Sequence, residues 1–297
     1  MDMQRNRYGI RPPKQIFKAF VVFLSIMLLV AMMLRLAVEP EETLKHVPLS
    51  SEKIRLIEDE DGNGKISKGD QINICDLDYD ENGKNDLFRV MDVDGNKYKL
   101  LAIDSVYSSG FSNSYKMKNV NGKYISKYEI SNIDNFSKLY FQSLPEEIQQ
   151  AIVPVNIKQS IYQFTYGDDE ITKKCEGKYL QLYEDTDTLN EVYNISQKMN
   201  LTVNKIDETE VGERYVYAPD MDDIQEYFDD ESYTTKEFRT AFFDKSSKNT
   251  EYIATRSAID EFPDRIGVLN NVTGNYADLR SNVTVDFHPE FVIEIQN

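Results

Sequence analysis

The chain of 297 residues has no tryptophan, two histidines and two cysteines. His46 and His288 stand far apart without cysteine neighbours, so the clustered Cys/His spacing of a zinc site is missing. Cys75 and Cys175 are too few for a disulfide framework, and one bridge or none is compatible with an oxidising compartment. Neither a nucleophile triad nor a Gly-rich phosphate loop can be traced. Positive charge is also scarce: 34 Lys and Arg face 51 Asp and Glu, for a formal net charge of −17. Such a field argues against nucleic acid and against an anionic membrane surface, both of which require a basic patch. It suits cations, basic partners or simple solubility.

What is present begins with aromatic and aliphatic residues sufficient for a core, including 19 Tyr and 15 Phe. The run "AFVVFLSIMLLVAMMLRLAV", residues 19–38, is interrupted only by Arg35. As a helix it extends ~30 Å, the thickness of a bilayer's hydrocarbon core. Arg5, Arg7, Arg11, Lys14 and Lys18 precede it against Asp2 alone, while Glu39, Glu41 and Glu42 follow. The positive-inside rule then predicts a single-pass anchor in the lipid bilayer of the cell membrane, with residues 1–18 a cytoplasmic basic tail and the rest extracellular. A cleaved signal peptide is the rival. Against it, Arg35 sits before Ala37 where a small-x-small cleavage site is needed, and the run exceeds a usual signal core.

Residues 39–55 mix Pro, Ser and charge and read as a stalk, and residues 56–86 as an acidic segment. From residue 87 to 297 the pattern predicts a mostly antiparallel sheet domain with short helices, of α+β class. "DLFRVMDV" and "KYKLLAI" flank an Asp-Gly-Asn turn, which predicts paired strands over Leu87–Val93 and Lys97–Ile103. "NIDNFSKLYFQSLPEEIQQAIV", residues 132–153, predicts two helices broken near Gln142–Leu144, the second capped by Ser143. Residues 168–213 read as an irregular acidic insert with one helix over 185–199. "RYVYAPDMDDIQEYF", residues 214–228, predicts a strand running into a helix with Asp220 at its cap. The remaining segments have strand composition.

The segments "ISKGDQINI", "DLFRVMDVDGNKYKLLAIDSV", "LYFQSLPEEIQQAIVPVNI", "VYAPDMDDIQEYF", "EYIATRSAI" and "VDFHPEFVIEI" together resemble a family of exported Firmicutes domains of unknown function. Its members show a Gly-Asp before the first strand, a Trp-Arg-Val strand, an Asp-Asp-Ile-x-x-Tyr helix, a Trp-Leu-Arg-Ser signature and a closing Arg-Pro strand. Phe88 and Tyr252 replace the tryptophans, and His288-Pro289 replaces Arg-Pro. The resemblance covers about residues 64–297 and implies a C-type-lectin-like fold, without an agreed activity.

The clearest chemical motif is "EDEDGNGKISKGD", residues 58–70. Counted from Asp59, an EF-hand-type frame places Asp59, Asp61, Asn63, Lys65 (through its carbonyl), Ser67 and Asp70 at the ligand positions, with Gly64 at the sharp turn. Asp70 replaces the usual Glu, as in the dockerin-type loops this stretch resembles. The following "QINICDLD" reads as a strand, not an exit helix. A second, shorter frame holds Asp78, Asp80, Asn82, Lys84 and Asp86, but its twelfth position is Arg89, which cannot ligate a cation. Asx-Gly clusters also form plain turns, and Gly69-Asp70 matches the family's Gly-Asp pair, so Asp70 has two explanations.

These features predict a membrane-anchored extracellular binding domain for a protein or glycan ligand, with a structural calcium ion. Arg256 is the candidate ligand-binding residue, as a clamp for carboxylate or sulfate; the alternative is a buried arginine paired with Asp222 or Asp223 that fixes the terminal strand to the helix. The rival function is a surface enzyme acting on cell-wall or carbohydrate material through acid pairs among Asp220, Asp222, Asp223 and Glu226.

Overall fold

In a computed structural model the chain divides into two units, Met1–Lys45 and His46–Asn297. The described residues are 44–79, 81, 83–111, 116–118, 124–167, 201–228, 252–260, 265–270, 276–280 and 284–296.

In chain order the strands are β1 (Ile54–Glu58), β2 (Gln71–Ile74), β3 (Leu87–Asp94), β4 (Lys97–Ala102), β5 (Tyr107–Gly110), β6 (Lys116–Lys118), β7 (Tyr124–Ser126), β8 (Ile152–Val153), β9 (Val155–Tyr166) and β10 (Leu201–Arg214), then β11 (Val216–Tyr217), β12 (Tyr252–Ile259), β13 (Arg265–Asn270), β14 (Tyr276–Arg280), β15 (Thr284–Phe287) and β16 (Glu290–Glu294). The α-helices are α1 (Asn132–Ser143), α2 (Glu146–Ala151) and α3 (Met221–Phe228). The first sheet runs β1-β2-β3-β4-β16-β11, with β8 also on β16; the second runs β10-β9-β12-β13-β14, with β15 joining β12 to β5.

The expected α+β class with a single-pass anchor is therefore corrected. The described chain is mostly β-sheet with a few short helices. Residues 1–18 and 19–38 lie outside the described residues, and among those described no helix is long and apolar enough to cross a membrane. The anchor, the signal-anchor character and the membrane location are not supported. The segment taken as a stalk also differs: Leu49 is buried, its N–H donates to Glu294 O at 2.8 Å, and it bridges Ile295 in parallel. The Gln296 N–H returns a bond to Leu49 O at 2.8 Å and the Val47 N–H donates to Gln150 O at 3.0 Å, which seats this piece beside β16.

Local signals explain several elements. The β3–β4 hairpin closes Asp94 against Lys97, with Gly95 at φ 62, the positive φ that the first loop position of a II′ turn requires. In α1, Ser131 Oγ accepts the Asp134 N–H at 3.0 Å as an N-cap, and Ile133, Ser137 and Tyr140 face inward. Ser143 does not cap α2; its hydroxyl donates to Tyr140 O at 2.7 Å, and Pro145 precedes the helix. The helix expected over 185–199, and Cys175, lie outside the described residues. Residues 201–213, expected as irregular, instead form most of β10, paired along its length with β9.

The main core packs Ile72, Ile74, Phe88, Val90, Leu100, Phe291 and Ile293 of the first sheet against α1 and the second sheet's Ala254, Ile266 and Val268. Phe88 and Phe291 meet edge-on with ring centroids 5.4 Å apart. One polar anchor fixes the β11–α3 connection: the Tyr128 hydroxyl accepts the Ala218 N–H at 2.9 Å and lies 3.0 Å from Ser137 Oγ. The Arg256 N–H donates to Pro219 O at 2.9 Å. Asp220 is thereby delivered to the junction of the two sheets.

Candidate functional site

Strands β1 and β2 pair antiparallel, ending at Glu58 against Gln71, so residues 59–70 are the connection of a β-hairpin. The EF-hand-type frame thus lies between strands. Its backbone must reverse sharply, and Gly62, Gly64 and Gly69 take φ of 69, 72 and 102, values costly for residues with a Cβ.

The predicted ligands converge. Asp59, Asp61 and Asp70 each offer a carboxylate oxygen within 4.8 Å of the others. Oxygens held 2.3–2.6 Å from one Ca²⁺ lie at most ~5 Å apart, so this spacing suits a shared ion. Asp59 Oδ2 accepts the Gly64 N–H at 2.7 Å, and Asp61 Oδ1 accepts the Asn63 N–H at 3.0 Å. Ser67 Oγ stands 3.0 Å from both Asp61 Oδ2 and Asp70 Oδ2. Asn63 Oδ1 accepts the Lys65 N–H at 2.6 Å. The Asn63 N–H, assisted by Ser67, holds the Asp61 carboxyl below its ordinary range. Three carboxylates, a hydroxyl and an amide oxygen make a hard-oxygen donor set that fits calcium.

Asp70 is fully buried and does more than face the loop. Its Oδ1 accepts the Glu60 N–H at 2.8 Å and its Oδ2 the Ser67 N–H at 2.7 Å, closing the loop from both ends. Its backbone carbonyl accepts the Val90 N–H at 2.9 Å, and the preceding Gly69 carbonyl accepts Arg89 Nη1 at 2.9 Å. Ile66 packs against the core below. The loop is welded to β3 through its last two residues.

The second frame is less complete. Asp78 Oδ2 accepts the Gly83 N–H at 2.7 Å, while the Asp86 carboxylate accepts the Tyr79 N–H at 3.2 Å. Asp80 and Asn82 lie outside the described residues, Lys84 is described, and the metal-compatible grouping found among described residues is the first loop.

Arg256 is 7% exposed and is held on three sides: Nε donates to Lys158 O, Nη1 to Ala218 O and Nη2 to Asp223 Oδ2, each at 2.6 Å. Its guanidinium also lies 5.3 Å from the Tyr217 ring centroid. Asp223 in turn takes Lys99 Nζ at 2.7 Å and the Asp220 N–H at 2.9 Å. Burial works to raise the Asp223 carboxyl, but Arg256 and then Lys99 override it and hold it well below the ordinary range.

The acids expected as a catalytic set are similarly engaged. Asp220 Oδ1 accepts from Ser257 Oγ at 3.0 Å and the Asp222 N–H at 3.2 Å, and Oδ2 from the Ser160 N–H at 3.1 Å. Asp222 accepts from the Tyr162 hydroxyl and pairs with Lys205. The Glu226 side chain lies outside the described set. Sequence reasoning missed Lys99 and Glu290, which complete this cluster; each stands beside apolar residues, in "KYKLLA" and "EFVIE", and that adjacency was the one local signal.

The fold and loop define a β-rich domain with an oxygen-lined hairpin loop and a buried ion cluster bridging its sheets. In comparisons with known proteins, no family model, no curated protein and no solved structure matches the chain.

Proposed function

We propose that this chain is a binding or interaction domain, not an enzyme, whose N-terminal hairpin loop takes calcium as a structural ion. The observation that carries the calcium reading is the gathering of Asp59, Asp61 and Asp70 oxygens within 4.8 Å on one loop joined to β3. When bound, the ion supplies charge balance to the three carboxylates. Asp59 and Asp61 would hold it from the open side, and Asp70 from the buried side. The binding reading is supported by what the alternative acids do: Asp220, Asp222 and Asp223 spend their oxygens on internal donors, as framework groups do. The ligand class that suits the acidic surface is a basic protein segment or a glycan presented with cations.

The test is a calcium titration of the full chain followed by thermal melting, beside the Asp59→Ala/Asp61→Ala variant. With an affinity of ~10⁻⁴–10⁻³ M, about 10 mM calcium stabilises by roughly 1.4–2.7 kcal/mol. That predicts a rise of roughly 3–10 °C in Tm, absent from the variant. An unmoved melting point, or an equal rise in the variant, removes the ion from the proposal. Screening basic peptides and glycans for binding, with turnover monitored, separates binder from enzyme.

A further inference from the structure

The buried cluster is unevenly charged. Lys99 on β4 and Arg256 on β12 face three carboxylates: Asp220 in the β11–α3 connection, Asp223 on α3 and Glu290 on β16. Asp222, at the outer side, is matched by Lys205. Among the three inner acids, Asp220 and Asp223 have the several donors already described. Glu290 is fully buried, and Lys99 Nζ lies 2.7 Å from its Oε1 as an ion pair. Glu290 Oε2 has no hydrogen-bond partner among the described residues, so the carboxylate is supported there by the Lys99 contact on its other oxygen. An ionised carboxylate in that position is the least supported charge of the group, and the group carries one negative charge too many.

We propose that Glu290 is a proton-binding site: it takes up one proton as the chain folds, which balances the cluster joining the two sheets, and gives it up as pH rises, which weakens that junction. Four elements present charged or titratable groups to it. Lys99 comes from β4, Tyr217 from β11 directly opposite Glu290 in register, Asp223 from α3, and Arg256 from β12. Arg89, in line through Leu101, is turned to the Gly69 carbonyl. On the approach to β16, His288 places Nδ1 3.1 Å from Ala102 O. Burial raises the Glu290 carboxyl to about 7, with Lys99 opposing and Asp223 adding to the rise.

The sign follows from linkage. A carboxyl that binds its proton more tightly folded than unfolded contributes stability in full below its unfolded value of 4.5, and loses it as pH rises toward about 7. The test compares unfolding constants of the full chain and its Glu290→Gln variant by urea titration at pH 5 and pH 9. The ratio of the two constants is expected to shift in the variant's favour by on the order of a hundredfold between these pH values. Contributions from His288 and other groups cancel in that ratio. A ratio independent of pH overturns the proposal. Should Glu290→Gln fail to fold, the wild-type infrared spectrum decides: a buried protonated-carboxyl stretch at pH 6 that fades by pH 9 supports the site, and its absence at pH 6 overturns it.

Discussion

Replacing Arg256 by Met tests whether the guanidinium holds the two sheets together or merely lines a ligand site. Met conserves much of the aliphatic stem but removes every donor. Three acceptors lose a partner: Lys158 O, Ala218 O and Asp223 Oδ2. Asp223 keeps Lys99 and the Asp220 N–H, so its loss is partial. Breaking a buried ion pair from one side costs roughly 3–5 kcal/mol. Each stranded carbonyl adds about 1–3 kcal/mol if water cannot reach it. These terms overlap, and about 5 kcal/mol is a fair central figure, comparable with the whole stability of a marginal domain. Urea unfolding followed by near-ultraviolet circular dichroism, where the tyrosines report packing, measures the loss. The companion variant Arg256→Met/Asp223→Asn removes the stranded charge as well and should recover about 1–3 kcal/mol, a coupling expected only for groups in contact. An Arg256→Met chain within about 1 kcal/mol of wild type would refute the framework role, because the guanidinium then contributes little through its three bonds.

Three further outcomes follow from separate features. Gly267 lies where a Cβ would meet Met221 Sδ at 2.4 Å and Ser257 Cβ at 3.2 Å; since Met221 is buried and cannot swing out freely, Gly267→Ala should cost about 1–3 kcal/mol in a thermal melt, and a neutral result would show that the α3–β13 contact is loose. Burial lowers His288 to about 4, so its neutral form contributes stability that is complete above about 6.5 and lost as pH falls toward 4, by roughly 3 kcal/mol; His288→Gln should flatten that acid limb, and an unchanged limb would contradict the buried neutral ring. Asp70→Asn should destabilise the chain even with calcium chelated, by about 1–3 kcal/mol, because it disturbs the Glu60 and Ser67 bonds, whereas Asp61→Asn should cost little without calcium. Equal effects of the two under chelation would deny Asp70 its second role.

The features legible from sequence are those settled within a few residues. The Asp-Gly-Asn turn dictated the β3–β4 hairpin because a positive φ at Gly95 is a local demand, whereas the cap expected at Ser143 is found at Ser131, on the helix before. The acidic frame was legible as spacing, yet its setting between β1 and β2 came from pairing that spacing does not encode. Most of the architecture depends on distant partners. Strand β16 enters between β4 and β11, nearly two hundred residues after the former, and β12 lies parallel to β9 while pairing antiparallel with β13. Apolar alternation marks each as a strand but is silent about its neighbour, which is why the order of strands in the two sheets could not be read. The ion cluster shows the same limit from the side of charge. Lys99 and Glu290 carry no local mark of their role, and only the antiparallel pairing of β4 with β16 brings their charged ends together. Arg256 was conspicuous as the one charge in the octet Tyr252–Ile259, and its three acceptors come from β9, the β11–α3 connection and α3. A charge within a buried strand therefore signals a partner on another element, and in the cluster assembled this way Glu290 is the carboxylate with the fewest donors among the described residues, the place where a proton would relieve the excess charge.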